Sequence, residues 1–86
     1  MSEIKSDIKL VKYFSVEYAR IFDCINEIYV FEFNGLYWIT NIRNNAGGLR
    51  LIPKEQVDEI FNKEKDNLLK ALYDTDTEIK RIKLLK

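Results

Sequence analysis

Apolar residues recur at spacings of three and four along the first third of the chain, which places them on one face of a helix. These positions are Val11, Phe14, Tyr18, Ile21 and Ile25. No proline or glycine interrupts this stretch, and Ser6 or Asp7 could cap its start. The pattern therefore predicts one long helix from Asp7 to about Ile25. An alternative stays open, in which residues 8–14 form a strand and the helix begins after Ser15.

The following segment has the pattern of a β-hairpin. Two runs rich in β-branched and aromatic residues, 28–33 and 36–42, flank the dipeptide Asn34-Gly35. Asn-Gly favours the positive φ angles that a type I′ turn requires, and the twist of that turn matches the strands. The turn also fixes the register. The predicted cross-strand pairs are Phe33 with Leu36, Phe31 with Trp38, Val30 with Ile39, and Tyr29 with Thr40.

A third strand and two helices complete the predicted order. Residues 43–48 predict a loop, and residues 49–52 a short strand. Pro53 suits the first turn of a helix, which helical spacing extends to about residue 73. Thr75 and Glu78 have the spacing of a capping box, which predicts a short C-terminal helix. The sequence thus predicts a single α+β domain over residues 1–86, ordered as a long helix, a three-stranded antiparallel meander, a helix and a short helix.

Both faces of the predicted hairpin are largely apolar. One face carries Tyr29, Phe31, Phe33, Leu36, Trp38 and Thr40, and the other carries Ile28, Val30, Glu32, Tyr37, Ile39 and Asn41. A sheet with one solvated face would alternate apolar and polar residues more cleanly. Either helices cover both faces, or one face remains as a contact surface for a second copy or for another protein. The predicted contact lies around Tyr37, Ile39 and Val30, or at the rim of the aromatic face.

The residue types that the chain lacks narrow its possible chemistry. There is no histidine and Cys24 is the single cysteine, which excludes His-dependent triads, thiolate zinc clusters and an internal disulfide. No phosphate-loop or dinucleotide motif is present. We therefore expect a protein that is not an enzyme and that uses no metal or cofactor. The chain also lacks an apolar run of the ~18–20 residues that a membrane span needs and a signal-peptide pattern, which predicts a cytoplasmic location.

Nucleic acid is an alternative partner that the charges do not favour. The chain has 14 basic and 14 acidic residues, so it exerts no bulk attraction on phosphate. Its predicted order of elements resembles that of double-stranded-RNA-binding domains. Where that family opens its second helix with lysines, this chain has residues 53–56 (PKEQ) followed by Asp58 and Glu59, which would repel phosphate. Only the C-terminus, with Lys80, Arg81 and Lys83, is basic.

A small anionic ligand, such as a nucleotide, is a second alternative. Arg43 and Arg50 flank a segment rich in asparagine and glycine, which could offer guanidinium groups and backbone N–H groups to an anion. Tyr37 and Trp38 are near enough in sequence to stack on a base. A hairpin loop needs its glycines and asparagines in any case, so the composition of this segment has an ordinary structural explanation as well.

The leading hypothesis is a non-catalytic protein that acts by protein–protein contact. A small domain rich in Ile, Lys and Asn, with surplus aromatic residues, is similar to the inhibitors and adaptors that phages and other mobile elements encode. Its predicted order of elements also resembles that of some anti-CRISPR proteins, which implies an anti-defence role. Interface hot spots favour Trp, Tyr and Arg, so the predicted partner-binding residues are Tyr37, Arg43, Arg50 and Trp38. A homodimer is expected if one apolar face stays uncovered.

Overall fold

The computed structural model describes residues 8–43 and 46–85, which form one antiparallel sheet and one long helix. The strands and the helix are β1 (Lys9–Ala19), β2 (Asp23–Phe33), β3 (Leu36–Arg43), β4 (Ala46–Ile52), α1 (Val57–Tyr73) and β5 (Glu78–Leu85), with a 3-10 turn at Lys54–Gln56 before α1. The five strands lie in the order β4-β3-β2-β1-β5. The protein is therefore mostly β, and the predicted α+β order is wrong.

The predicted N-terminal helix is two strands, β1 and the start of β2. Along β1, Phe14, Val16 and Tyr18 are buried at a spacing of two, which is the period of a strand. The spacing of three between Val11 and Phe14 arises because the β1–β2 register shifts between Leu10 and Lys12, so Val11 is an extra residue. Such a bulge turns a spacing of two into three. The turn after Ala19 contains no glycine or proline that would mark it in the sequence.

The predicted C-terminal helix is the edge strand β5, and the reason is the same. The β1–β5 register shifts between Glu17 and Tyr18, where Lys80 is the extra residue. Ile79 and Ile82 thereby reach the same side of the sheet although they are three residues apart. Because neither outer helix exists, the resemblance in element order to double-stranded-RNA-binding domains and to anti-CRISPR proteins does not hold.

The hairpin prediction is confirmed in its turn and its register. Asn34 and Gly35 have φ angles of 59° and 74°, as a type I′ turn requires. Phe31 pairs with Trp38 and Phe33 with Leu36. The strand predicted at residues 49–52 corresponds to β4 and is longer than predicted. It begins at Ala46 and includes Gly47 and Gly48, which were predicted to lie in a loop. Residues 44 and 45 of that loop lie outside the described residues.

The topology places the helix on one face of the sheet only. β4 and β5 occupy opposite edges, so the chain between them must cross the sheet, and α1 makes this crossing. The predicted helix over 54–73 is confirmed, since the 3-10 turn at Lys54–Gln56 leads directly into α1, which ends at Tyr73. Its apolar side meets one side of β1–β4 in a single core formed by Phe14, Val16, Tyr18, Ile28, Val30, Ile39, Ile52, Val57, Phe61 and Leu72.

Candidate functional site

The side of the sheet opposite α1 is apolar and uncovered by any element that the structure describes. Strand register brings its residues together in rows, of which the central one is Leu10, Phe31, Trp38 and Leu51. We call this surface the open face and define it by Leu10, Tyr13, Tyr29, Phe31, Phe33, Leu36, Trp38, Leu49 and Leu51. Phe31, Phe33 and Trp38 are half-buried by their neighbours, and the leucines around them are exposed. Monomers seldom expose so continuous an apolar surface without a function.

Charged residues lie at one end of this surface and not at the other. Glu17 stands across from Arg81 on the neighbouring edge strand, and Ser15 stands between Glu27 and Lys83. The end that contains the Asn34-Gly35 turn carries Phe33 and Leu36 instead. The open face is therefore apolar up to the hairpin turn at one end, and at its other end it borders residues that carry both signs of charge.

Two tyrosines hold the Glu27 carboxylate at the border between these ends. The Tyr13 and Tyr29 hydroxyls both donate to Glu27 Oε2, at 3.0 and 3.1 Å. Their rings pack at a centroid distance of 4.9 Å and an interplanar angle of 54°. Burial and the hydrogen bond to Glu27 raise the pKa of Tyr29 above its ordinary 10.0. The arrangement orients a carboxylate beside an apolar surface.

The raised pKa of Tyr29 predicts a loss of stability in alkali. Because the folded state keeps the phenol protonated while the unfolded chain ionises near 10.0, this contribution is complete below that pH and is lost as the pH rises above it. Urea unfolding between about pH 9 and pH 11 measures the decline. We expect Tyr29→Phe to make the decline shallower and the exposed control Tyr73→Phe to leave it unchanged. Equal declines in both variants would contradict the prediction.

Trp38 has a polar group that the domain does not satisfy. Its indole Nε1 is buried and finds no acceptor among the described residues. An unsatisfied buried donor costs about 1–3 kcal/mol. This unsatisfied donor lies at the centre of the open face. A buried position of this kind in a protein core normally holds a purely apolar residue, or the donor has an acceptor within hydrogen-bond distance.

The four predicted partner-binding residues do not form one surface. Trp38 lies at the centre of the open face, whereas Tyr37 lies on the other side and packs against the core beneath α1. Val30 and Ile39, which were predicted beside Tyr37, are buried there. The part of the predicted contact that stays accessible is the aromatic face.

The two predicted arginines lie on the helix side and are far apart along the strands. Arg50 pairs with Ile39 across the β3–β4 ladder, four residues along β3 from Arg43. Its guanidinium lies 3.3 Å from the Glu64 carboxylate of α1, so an ion pair already engages it. Arg43 instead borders a cavity near Tyr18. The predicted anion site between these two arginines is therefore not assembled.

The sequence interpretation missed residues that lie on the two outer strands of the open face. Leu10 and Tyr13 were assigned to the long helix, and Leu49 and Leu51 to a short strand whose faces were not assigned. The signal that could have found them is the alternation of Leu49, Arg50, Leu51 and Ile52, in which every second residue is a leucine on the same side.

Comparison with models of protein families, with curated proteins and with solved structures found no match for this chain. Among residues 8–43 and 46–85, no group of three or more His, Cys, Asp or Glu side chains is placed to hold a metal ion. No helix in the same ranges has the length and apolar character to cross a membrane.

Proposed function

We propose that this protein is a non-catalytic interaction domain that binds its partner through the open face. The observation that carries the proposal is the topology. Within residues 8–43 and 46–85, a single helix covers one side of a sheet that is apolar on both sides. The uncovered side contains a tryptophan and two phenylalanines, which are residue types that dominate interface energetics.

The partner that these features favour is a second copy of the chain. Five strands about 4.8 Å apart and about eight residues long present an area of about 600 Å². Two such faces together would bury about 1,200 Å², which reaches the size of a stable interface. This figure treats each face as flat and leaves out the additional surface of the protruding side chains. Two sheets packed face to face form a β-sandwich, in which the aromatic residues of both copies interdigitate.

The distribution of charge fits a two-fold arrangement. A two-fold axis that runs along the strands places the apolar end of one copy on the apolar end of the other. The charged ends then also meet, and each supplies both signs, because Glu17 and Glu27 lie beside Arg81 and Lys83. The opposite orientation would press those charges onto Phe33 and Leu36, at the cost of desolvating them.

Light scattering with a matched pair of leucine variants tests this proposal. We expect the native chain to have about twice its mass of 10.3 kDa at micromolar concentration. Leu51 is 52% exposed on the open face, and Leu84 is 51% exposed on the helix side of the other edge strand. Leu51→Asp is expected to give a folded monomer, because it places a charge within the interface. Leu84→Asp is expected to leave the dimer intact, and circular dichroism checks the fold of both variants.

Two results would overturn the proposal. One is a native chain that stays monomeric up to millimolar concentration. The other is a dimer that both aspartate variants weaken equally, because the contact would then lie elsewhere than on the open face.

The proposal is preferred over nucleic-acid binding because of the surroundings of the basic residues. The Lys80 ammonium lies 3.1 Å from the Asp23 carboxylate, and Arg81 stands across from Glu17. These charges have acidic neighbours and lie on an edge strand, where lysine and arginine also discourage unwanted strand pairing.

A further inference from the structure

A cavity of about 290 Å³ lies on the helix side of the sheet, away from the open face. It is bounded by the end of β1, the turn into β2, the end of β3 and the second half of α1. Two arginines border it, Arg20 from the turn between β1 and β2 and Arg43 from the end of β3, and the described residues that line it include no carboxylate. Its chemistry is therefore cationic in a protein whose overall charge is balanced.

Neither of these guanidiniums is neutralised by the described part of the chain. Three ion pairs are formed among those residues, and none of them involves Arg20 or Arg43. Both arginines act on the same group within the cavity. Burial and the neighbouring Cys24 thiol raise the pKa of the Tyr18 hydroxyl, and the charges of Arg43 and Arg20 oppose that rise. Two positive charges without an acidic partner among the described residues thus border the same cavity as one buried phenol.

The floor of the cavity is a fixed polar network. Tyr18 and Asn26 are only 5% and 4% exposed. The Tyr18 hydroxyl donates to Asn26 Oδ1 at 3.0 Å, and Asn26 Nδ2 donates to Asn41 Oδ1 at 3.1 Å. Arg20 is held at the rim, because its Nε donates to Thr77 Oγ1 at 3.1 Å. This network orients the floor and one guanidinium before any ligand binds, which lowers the entropy lost on binding.

The end of α1 does not compete for the arginines. The Ala71 and Leu72 carbonyls accept hydrogen bonds from the Thr75 hydroxyl, and the Lys70 carbonyl accepts one from the Asp74 N–H. These donors engage the Lys70, Ala71 and Leu72 carbonyls, which are three of the four that the end of a helix leaves without an intrahelical partner. The Arg20 and Arg43 guanidiniums therefore remain available to hydrogen-bond acceptors of a ligand in the cavity.

The remaining walls of the cavity are apolar. Leu68 and Leu72 come from α1, and Ile21 and Phe22 come from the turn between β1 and β2. Ile21 is 95% exposed and Phe22 is 65% exposed, which is unusual for two adjacent large apolar residues at a turn. A ligand with an apolar body would cover surface that the domain alone leaves in water.

We propose that this cavity binds a small organic oxyanion, namely a carboxylate or phosphate attached to an apolar ring or branched chain. The oxyanion lies between Arg20 and Arg43, since a guanidinium matches carboxylate and phosphate oxygens in a bidentate manner. The apolar body packs against Leu68, Leu72 and Phe22. The volume is near the lower limit of small-molecule sites, which selects a ligand with a single ring over a full nucleotide.

Calorimetric titration with matched small molecules tests this site in the full chain. Phenyl phosphate and phenylacetate are the probes, inorganic phosphate lacks the apolar body, and benzyl alcohol lacks the charge. We expect at least one of the two probes to bind with Kd below about 1 mM. Inorganic phosphate and benzyl alcohol are each expected to bind at least about tenfold more weakly than that probe.

The variants locate the binding. Arg43→Gln and Arg20→Gln are each expected to weaken it by about tenfold or more. Arg50→Gln removes an arginine that α1 already engages, and it should leave the affinity unchanged. Leu51→Asp should also leave it unchanged, so that a failure of dimerisation does not affect this result. Thermal melts check that each variant is folded.

Three results would overturn the proposal. The first is that neither probe binds. The second is that inorganic phosphate binds as tightly as the better probe, because the apolar walls would then contribute nothing. The third is that Arg50→Gln weakens binding as much as Arg43→Gln, which would indicate a general charge effect.

Discussion

Replacing Phe61 with alanine is expected to lower the free energy of unfolding by about 3–5 kcal/mol. Phe61 is only 2% exposed and is part of the core between α1 and the sheet. The Lys12 ammonium of β1 lies 5.6 Å from the centre of the Phe61 ring and 2.9 Å from the Asp58 carboxylate of α1. Truncation would leave a cavity under the one long helix and remove the surface on which Lys12 packs.

The loss is large compared with the stability of such a domain. A chain of 86 residues has a total of about 4–13 kcal/mol at about 0.05–0.15 kcal/mol per residue. Urea unfolding followed by circular dichroism measures the change. Tyr73→Ala removes an aromatic side chain from the same helix at a position that is 68% exposed, and it should cost less than about 1 kcal/mol. Similar losses in the two variants would show that α1 is not anchored through Phe61.

Gly47→Ala is expected to destabilise the protein by about 1–3 kcal/mol through a clash between two strands. A Cβ atom at Gly47 would collide with the backbone carbonyl of Asn41, and it would lie 2.9 Å from Ile42 Cα. Both neighbours are main-chain atoms of β3, so no flexible side chain can move aside. The ladder between β3 and β4 would have to open, and β4 also carries Leu49 and Leu51 of the open face.

The adjacent glycine provides the control for this prediction. A Cβ atom at Gly48 would meet nothing within 4 Å. Gly48→Ala is therefore expected to be neutral or slightly stabilising, because alanine restricts the unfolded chain more than glycine does. Thermal melts of the two variants measured side by side give the comparison. If the two melting temperatures shift by the same amount, the prediction that β3 and β4 approach too closely at Gly47 to admit a side chain is wrong.

Local sequence determined the hairpin because its information lies within a few residues. Asn34-Gly35 specifies a turn with two positive φ angles, and that turn sets every pair from Phe33–Leu36 to Tyr29–Thr40. The helix over 54–73 was equally predictable, since its start at Pro53 and its apolar spacing are continuous in the chain. The presence of two apolar sheet faces also followed from the register alone.

The paired strands β1 and β5 could not be predicted from the spacing of apolar residues, because each contains a bulge. One extra residue, Val11 in β1 and Lys80 in β5, shifts the phase and gives a spacing of three that resembles a helix. Whether such a residue is accommodated depends on hydrogen bonds to a neighbouring strand, and the residues of β5 pair with residues of β1 that lie 59 to 72 positions earlier in the chain. Local propensity contains no information about that partner.

The candidate sites divide in the same way. Composition and register determined that the protein has surplus aromatic surface and no histidine chemistry. Only the tertiary structure decided which face is open, because the single crossing from β4 to β5 places α1 over Val30 and Ile39 and leaves Trp38 on the uncovered side. It also placed Arg43 beside the same cavity as Arg20, whereas the sequence had suggested an anion site between Arg43 and Arg50. Strand order sets which distant residues meet, and strand order is fixed by long-range pairing that no short segment of the chain encodes.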